Sequence, residues 1–433
     1  MSWTEDQVLA LAPDAASAKA GKGLATPAKW PLLGASEVAL WGEAKGSGKN
    51  PYQTRIDLSQ LGYKCSCPSR KFPCKHALGL FLLYVRQPSI FPSDSPPTWV
   101  SEWLEQRTQR SEKQHQKASQ PVDEKAQAKR AALRSKKVAA GVDELQRWLK
   151  DTVRNGLATL PSREDRFWSA TAARMVDAQA PGLASSLRAM GAIAYYATGW
   201  EWKAWEALTQ LYLVTEGFKW HEQLPPGLQE DVKAALGFTY PQETLRAQPG
   251  IDDTWWVLGK QEIPEERITG VRYWLKGEQS GRYALILQFI APGQPRELTL
   301  LPGSRLQASL VFYPGGYPLR AIVKAHQGTQ PFTPPVGYPD LLALENETSA
   351  ALAAQPWLNQ MPVVLNSVIP LVAHDQLWLL DQSKRAILVT NQPDAQWKIL
   401  ALSGGQPIAV AGVVEHQTIS LLGGWAFGNY HLL

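Results

Sequence analysis

Cys65-Ser66-Cys67-Pro68-Ser69-Arg70-Lys71-Phe72-Pro73-Cys74-Lys75-His76 contains every cysteine of a 433-residue chain. Its pattern is Cys-x-Cys, six intervening residues, then Cys-x-His. Three thiols and one imidazole within so short a stretch match a closed Cys₃His structural zinc site, so one structural Zn²⁺ on Cys65, Cys67, Cys74 and His76 is expected. On an extended segment, residues i and i+2 share a face, so Cys65 and Cys67 can grip one ion. Two residues of helix turn the chain by about 200°. Cys74 and His76 therefore converge only if Cys74 lies in the loop and His76 in the first turn of a following helix. Pro73 suits that entry, and Ala77 to Val85 reads as the helix, giving a strand–loop–helix unit. A disulfide framework would want an even number of cysteines and a secretory signal. A catalytic zinc would keep one position open for water, and four ligands fill the tetrahedron.

The arrangement resembles the SWIM zinc finger, whose Cys-x-Cys, variable gap and Cys-x-His sit on a strand–strand–helix scaffold. All four ligand positions match. The flanks are also similar to bacterial SWIM proteins, from Trp41-Gly42 and Gly46-Ser47-Gly48-Lys49-Asn50-Pro51-Tyr52 through Lys75-His76-Ala77-Leu78-Gly79-Leu80. The resemblance is specific over about residues 30 to 88. Members of that family occur in transposases, in helicase-associated proteins and in bacterial gene clusters beside AAA ATPases and von Willebrand A proteins. The resemblance implies zinc and a DNA- or protein-binding role, and it implies no reaction.

Charge is concentrated in the same region. The chain carries a net +5, yet the stretch from Trp41 to Arg86 alone is +6 and Ser101 to Ala140 is another +5. The remainder is therefore acidic, and an anionic partner would bind at the finger or just behind it. Around the motif stand Lys64, Arg70, Lys71 and Lys75, joined by Lys45, Lys49 and Arg55. Three thiolates and a neutral imidazole around Zn²⁺ sum to −1, so some of these cations serve to neutralise the site. Their number exceeds that need and leaves room for phosphate contacts. Lys49, Arg55, Lys64, Arg70, Lys71 and Lys75 are accordingly the candidate residues for nucleic-acid or partner binding.

The wider composition, 19% charged and 44% apolar, is that of a globular protein of several domains. No secretory signal or membrane-length apolar run is visible, and metal-bound reduced cysteines fit the cytoplasm. The fold class expected is α+β and multidomain. Residues 1–90 hold an N-terminal segment and the finger, with its core at 38–87. Residues 91–140 read as a Pro-rich and then basic linker, solvated as a helix or disordered. From Val142 an apolar period of three to four residues marks a helical domain over 141–248. Residues 249–433 alternate strand-like runs with Gly/Pro turns and read as mainly antiparallel β, in one or two small sheets or barrels.

Other chemistry finds little support. Gly46-Ser47-Gly48-Lys49 fails the phosphate-loop pattern, since Glu43 stands where a glycine is needed and Asn50 where a hydroxyl is needed. The 18 tryptophans lie mostly in apolar patterns far from the basic segment, which fits cores or protein interfaces. The first functional reading is a non-catalytic adaptor whose finger docks a protein partner within an assembly, an AAA ATPase being the class the resemblance suggests. The alternative is DNA or RNA binding through the basic finger and linker. A weaker alternative is an enzyme in the β-rich half. Oligomeric state is not legible, and no membrane partner is expected.

Overall fold

The computed structural model describes residues 3–9, 11–46, 50–59, 61–69, 71–93, 95–117, 124–264, 269–290, 298–330 and 335–433, the side chains at 6, 108–117, 124–131, 264 and 327–330 excepted. The chain opens with helix α1 (Glu5–Leu9) on a capping box: Gln7 N–H donates to Thr4 Oγ1 at 3.3 Å, and Thr4 N–H to Gln7 Oε1 at 3.0 Å. Helix α2 (Ala15–Leu24) starts at Asp14, whose carboxylate takes the Ser17 N–H at 2.7 Å. Strands β1 (Leu32–Ala35), β2 (Ala39–Ala44), β3 (Tyr52–Asp57) and β4 (Gly62–Cys65) follow as an antiparallel sheet in sequence order. Helix α3 (Lys75–Arg86) completes the unit.

Nearly all of α3 is apolar, so a single packing face does not suffice. The sheet covers one side, and α1 and α2 cover the other. Trp3 meets Phe81 edge-on at 5.1 Å, and Val8 and Leu11 are buried in the same core. Helix α2 crosses α3 where two glycines face it. A Cβ on Gly21 would lie 2.8 Å from Leu78 Cβ, and one on Gly79 would lie 2.6 Å from Leu24 Cβ. Leu301, from the distant C-terminal half, closes this core.

The segment expected to link finger and body is helical among its described residues: α4 (Thr98–Lys117) and α5 (Glu124–Arg154). The expected break between residues 140 and 141 falls inside α5, which runs through it unbroken. Val138, on the linker side, is fully buried in the same core as Val142, Leu145 and Leu149. The polar composition masked this, because one buried position per turn is enough to dock a helix. The start of α4 is likewise anchored. Val100 packs on Ala39 and Trp41 of the finger sheet. Helices α6 (Asp165–Asp177), α7 (Pro181–Gly191), α8 (Trp200–Lys219) and α9 (Pro226–Leu236) build a bundle with α5, and the short α10 (Gln242–Ala247) leaves it.

The rest is β-rich. Strands β5 (Ile251–Pro264), β6 (Thr269–Gly277), β7 (Tyr283–Ile290), β8 (Arg305–Phe312) and β9 (Arg320–Gln330) close a barrel in the order β5-β6-β7-β9-β8, with β7 and β9 parallel. After α11 (Leu341–Ala354) come β10 (Met361–Ala373), β11 (Gln376–Leu380), β12 (Ala386–Val389), α12 (Pro393–Ser403), β13 (Ile408–Glu415), β14 (Thr418–Ala426) and β15 (Asn429–Leu432). Here β10-β11-β12-β14-β13 repeats the order of the first barrel, down to the parallel closing pair β12–β14. Helix α12 was not expected from the sequence. The two barrels also share a cross-strand pair on their second and third strands, Trp274 opposite Leu285 and Trp378 opposite Leu388. In the first barrel this outer face is sealed: Trp256, Leu258, Trp274 and Tyr283 pack against Ala411, Val413 and Leu422 of the second. Gly259 makes the fit possible, since a Cβ there would come within 2.6 Å of Leu422 Cβ. No helix among the described residues is long and apolar enough to cross a membrane.

Candidate metal centre

Strand β4 delivers Cys65 at its last residue, opposite Thr54 of β3. Cys67 follows two residues on, as the chain leaves the sheet. Cys74 is the extended residue that precedes α3, and His76 lies in the first turn of that helix. The expected strand–loop–helix grip is therefore present. The four ligand atoms all lie within 4.8 Å of one another, and His76 Nδ1 is 3.8 Å from Cys65 Sγ. Zn–S bonds near 2.3 Å in a tetrahedron place ligand sulfurs about 3.8 Å apart, so the cluster is the right size for zinc.

The thiol chemistry fits as well. In the metal-free protein, a hydrogen bond from Cys74 pulls the Cys65 thiol down to about 4, with further help from His76 and Thr54. The same bond, with burial, pushes the Cys74 thiol well up, and burial raises Cys67. Three crowded thiols thus hold one charge among them, and only a cation can stabilise all three as thiolates. With Cys74 and His76 both buried and four ligands present, the site holds one structural zinc.

The candidate basic residues divide. Arg55 is drawn under α4, with its guanidinium carbon 5.1 Å from the Trp99 ring centre and 5.8 Å from that of Trp103. Beside it Arg107 pairs with Asp57 at 3.1 Å. Arg55 is therefore a structural cation and not part of a phosphate-binding surface. Lys64 is exposed on β4, in register with Arg55. Lys71 pairs with Asp14 at 2.7 Å, and that bond, with the Ser17 N–H, holds the Asp14 carboxyl at about 2. Lys75 is exposed at the start of α3. Lys49 and Arg70 lie outside the described residues.

Lys71 and Lys75 meet again in a cleft of about 590 Å³ beside the metal ligands. Its other walls are Lys45, Tyr52 and the α2 residues Ser17 and Ala20. Tyr52 rests on His76, ring centres 5.0 Å apart. The α2 wall was hidden from the motif reading, because nothing in residues 13–24 announces a ligand surface. Trp41, close to the finger in sequence, is buried under α4 and offers no stacking face.

Residues 49–84 match the family model of the SWIM zinc finger, and residues 133–236 match that of the SWIM-associated four-helix bundle domain. No curated protein and no solved structure matches the chain.

Proposed function

We propose, for a chain that carries a SWIM zinc finger and the helical bundle associated with it, a non-catalytic role in which the finger grips the phosphate backbone of a nucleic acid. The observation that carries this reading is the cleft lined by Lys45, Lys71 and Lys75 with Tyr52 on its wall. The apolar side of α3 is used up inside the unit, so the outward chemistry of the finger is cationic. Zinc shapes the cleft without taking part in chemistry, since its four ligands leave no position for a substrate. Phosphate contacts of this kind give affinity without sequence preference.

The test is fluorescence anisotropy with labelled single- and double-stranded DNA and RNA across a salt series. Binding should weaken as salt rises. Lys45→Ala with Lys75→Ala should make the slope of log K against log salt shallower by about 1.4–1.8, at roughly 0.7–0.9 per lost phosphate contact. Absence of binding to every one of these probes at low salt overturns the reading.

The second reading, a protein adaptor, is favoured by the outer surface of the bundle. Trp202 and Trp220 of the α8 region are 76% and 56% exposed, and Trp205 is 42% exposed. Such aromatics on a helix are what protein interfaces use as anchors. A partner held there would show little salt dependence, which separates the two readings.

A further inference from the structure

Helix α8 is apolar on two opposite sides. Ala204, Leu208, Leu211 and Thr215 are buried in the bundle core. The outward side carries Trp202, Trp205, Leu213 and, just past the end of the helix, Trp220, all of them exposed. Their spacings fall near whole turns of a helix, so they form one stripe about 27 Å long. The outward face of a bundle helix is ordinarily polar, so this stripe calls for cover. Its two ends also repeat. Glu201-Trp202 and Lys219-Trp220 stand 18 residues apart, about five full turns, which puts Glu201 and Lys219 on one line of the helix surface. Both are exposed. The stripe thus begins with a carboxylate beside an indole and ends with an ammonium beside an indole.

We infer that this face pairs with the same face of a second copy of the chain, the two α8 helices running antiparallel about a two-fold axis near Gln210 and Leu211. The inference rests on the reading of this surface as a protein interface and names its occupant. Antiparallel pairing sets Trp202 beside Trp220 of the second copy and Glu201 beside Lys219 of the second copy, and the two-fold repeats both contacts at the other end. Opposite charges therefore meet at each end, and the face is complementary to itself. Lys219 also holds Asp143 at 3.3 Å, and an ammonium has donors for both carboxylates. The charges of Glu201 and Lys219 cancel, so they draw no phosphate backbone to the stripe. The area is sufficient as well. At about 250 Å² for a whole indole side chain, the exposed parts of the three tryptophans come to roughly 400 Å² on each copy. A pair would cover about 800 Å² of indole, and Leu213 with the polar rim brings this to the roughly 1,000–1,200 Å² that a specific interface needs.

Sedimentation equilibrium of the zinc-loaded full chain at about 1–50 µM tests this. The expected mass is twice the 47.8 kDa of one chain. Trp202→Ala with Trp220→Ala should raise the dissociation constant at least about tenfold, through the loss of two aromatic anchors per copy. Glu201→Lys alone sets ammonium against ammonium at both ends, and Lys219→Glu alone sets carboxylate against carboxylate. Each should weaken the dimer about tenfold. Mixed in equal amounts, the two single variants should restore it, since every end again joins opposite charges. Thermal melting checks that each variant keeps its fold. A monomer across the whole range, at low salt and at high, overturns the proposal and leaves the surface to a foreign partner, as the adaptor reading by itself requires. A dimer untouched by the paired tryptophan variant, or no recovery in the mixture of folded charge variants, overturns it as well.

Discussion

Cys74 serves at once as a metal ligand, as the residue that precedes α3 and as part of a buried wall. Serine in its place preserves the shape and loses the thiolate. Cys74→Ser should therefore reduce bound zinc from about one ion per chain to a small fraction, measured by elemental analysis, and melt the finger. Arg55 and Lys75 make a contrasting pair. Arg55→Ala removes a cation held by two tryptophans and should cost about 1–2 kcal/mol in denaturant unfolding. Lys75→Ala should leave stability unchanged and weaken anion binding. The four ligands could be read from the sequence because their spacing is local. The role of Arg55 could not, since Trp99 and Trp103 lie more than forty residues downstream and only the fold brings them over it.

At the scale of the element, α3 is apolar almost all round, from Ala77 to Val85, so it needs cover on more than one side. The structure places α1 and α2 there, with Arg86 clasping Glu5 at 2.6–2.8 Å across the end of the helix. Deleting residues 1–24 should expose Leu78 and Phe81, raise binding of an apolar dye and promote self-association in sedimentation. Gly79→Val should destabilise the unit by about 1–3 kcal/mol, because α2 has no space to yield. Helices α5 and α12 show where sequence reading stops. The early part of α5 has few apolar residues, and its buried Val138 looks isolated until the bundle closes on it. Helix α12 had its signals, Pro393 at the start and left-handed Gly404 at the end, but it lies among strands and its period is weak.

In the whole molecule, the contacts that join the units include Leu301 in the finger core, α4 on the finger sheet, and His416 on Glu206 between second barrel and bundle. None joins residues close in sequence, so none was predictable from a pattern. The β-rich half was legible as mainly antiparallel β in one or two small sheets or barrels; that two barrels share one strand order was not, since topology survives where sequence similarity does not. Gly259→Val should drive the barrels apart at Leu422 and cost about 1–3 kcal/mol, seen as a lower midpoint in urea unfolding.

The shared strand order also bears on how the chain reaches this state. Each strand β5 to β9 has a counterpart at the same place in the order of the second barrel, so an unfolded chain meets two frames into which a strand can enter. Exchange between such frames is a characteristic failure of proteins with repeated units. Each parallel closing pair joins strands distant in the chain and is slow to form. Synthesis on the ribosome avoids the competition, because β5 to β9 emerge and close before β10 exists. Dilution from denaturant offers all ten strands at once, and recovery of native protein should fall well below that of chains folded as they are made.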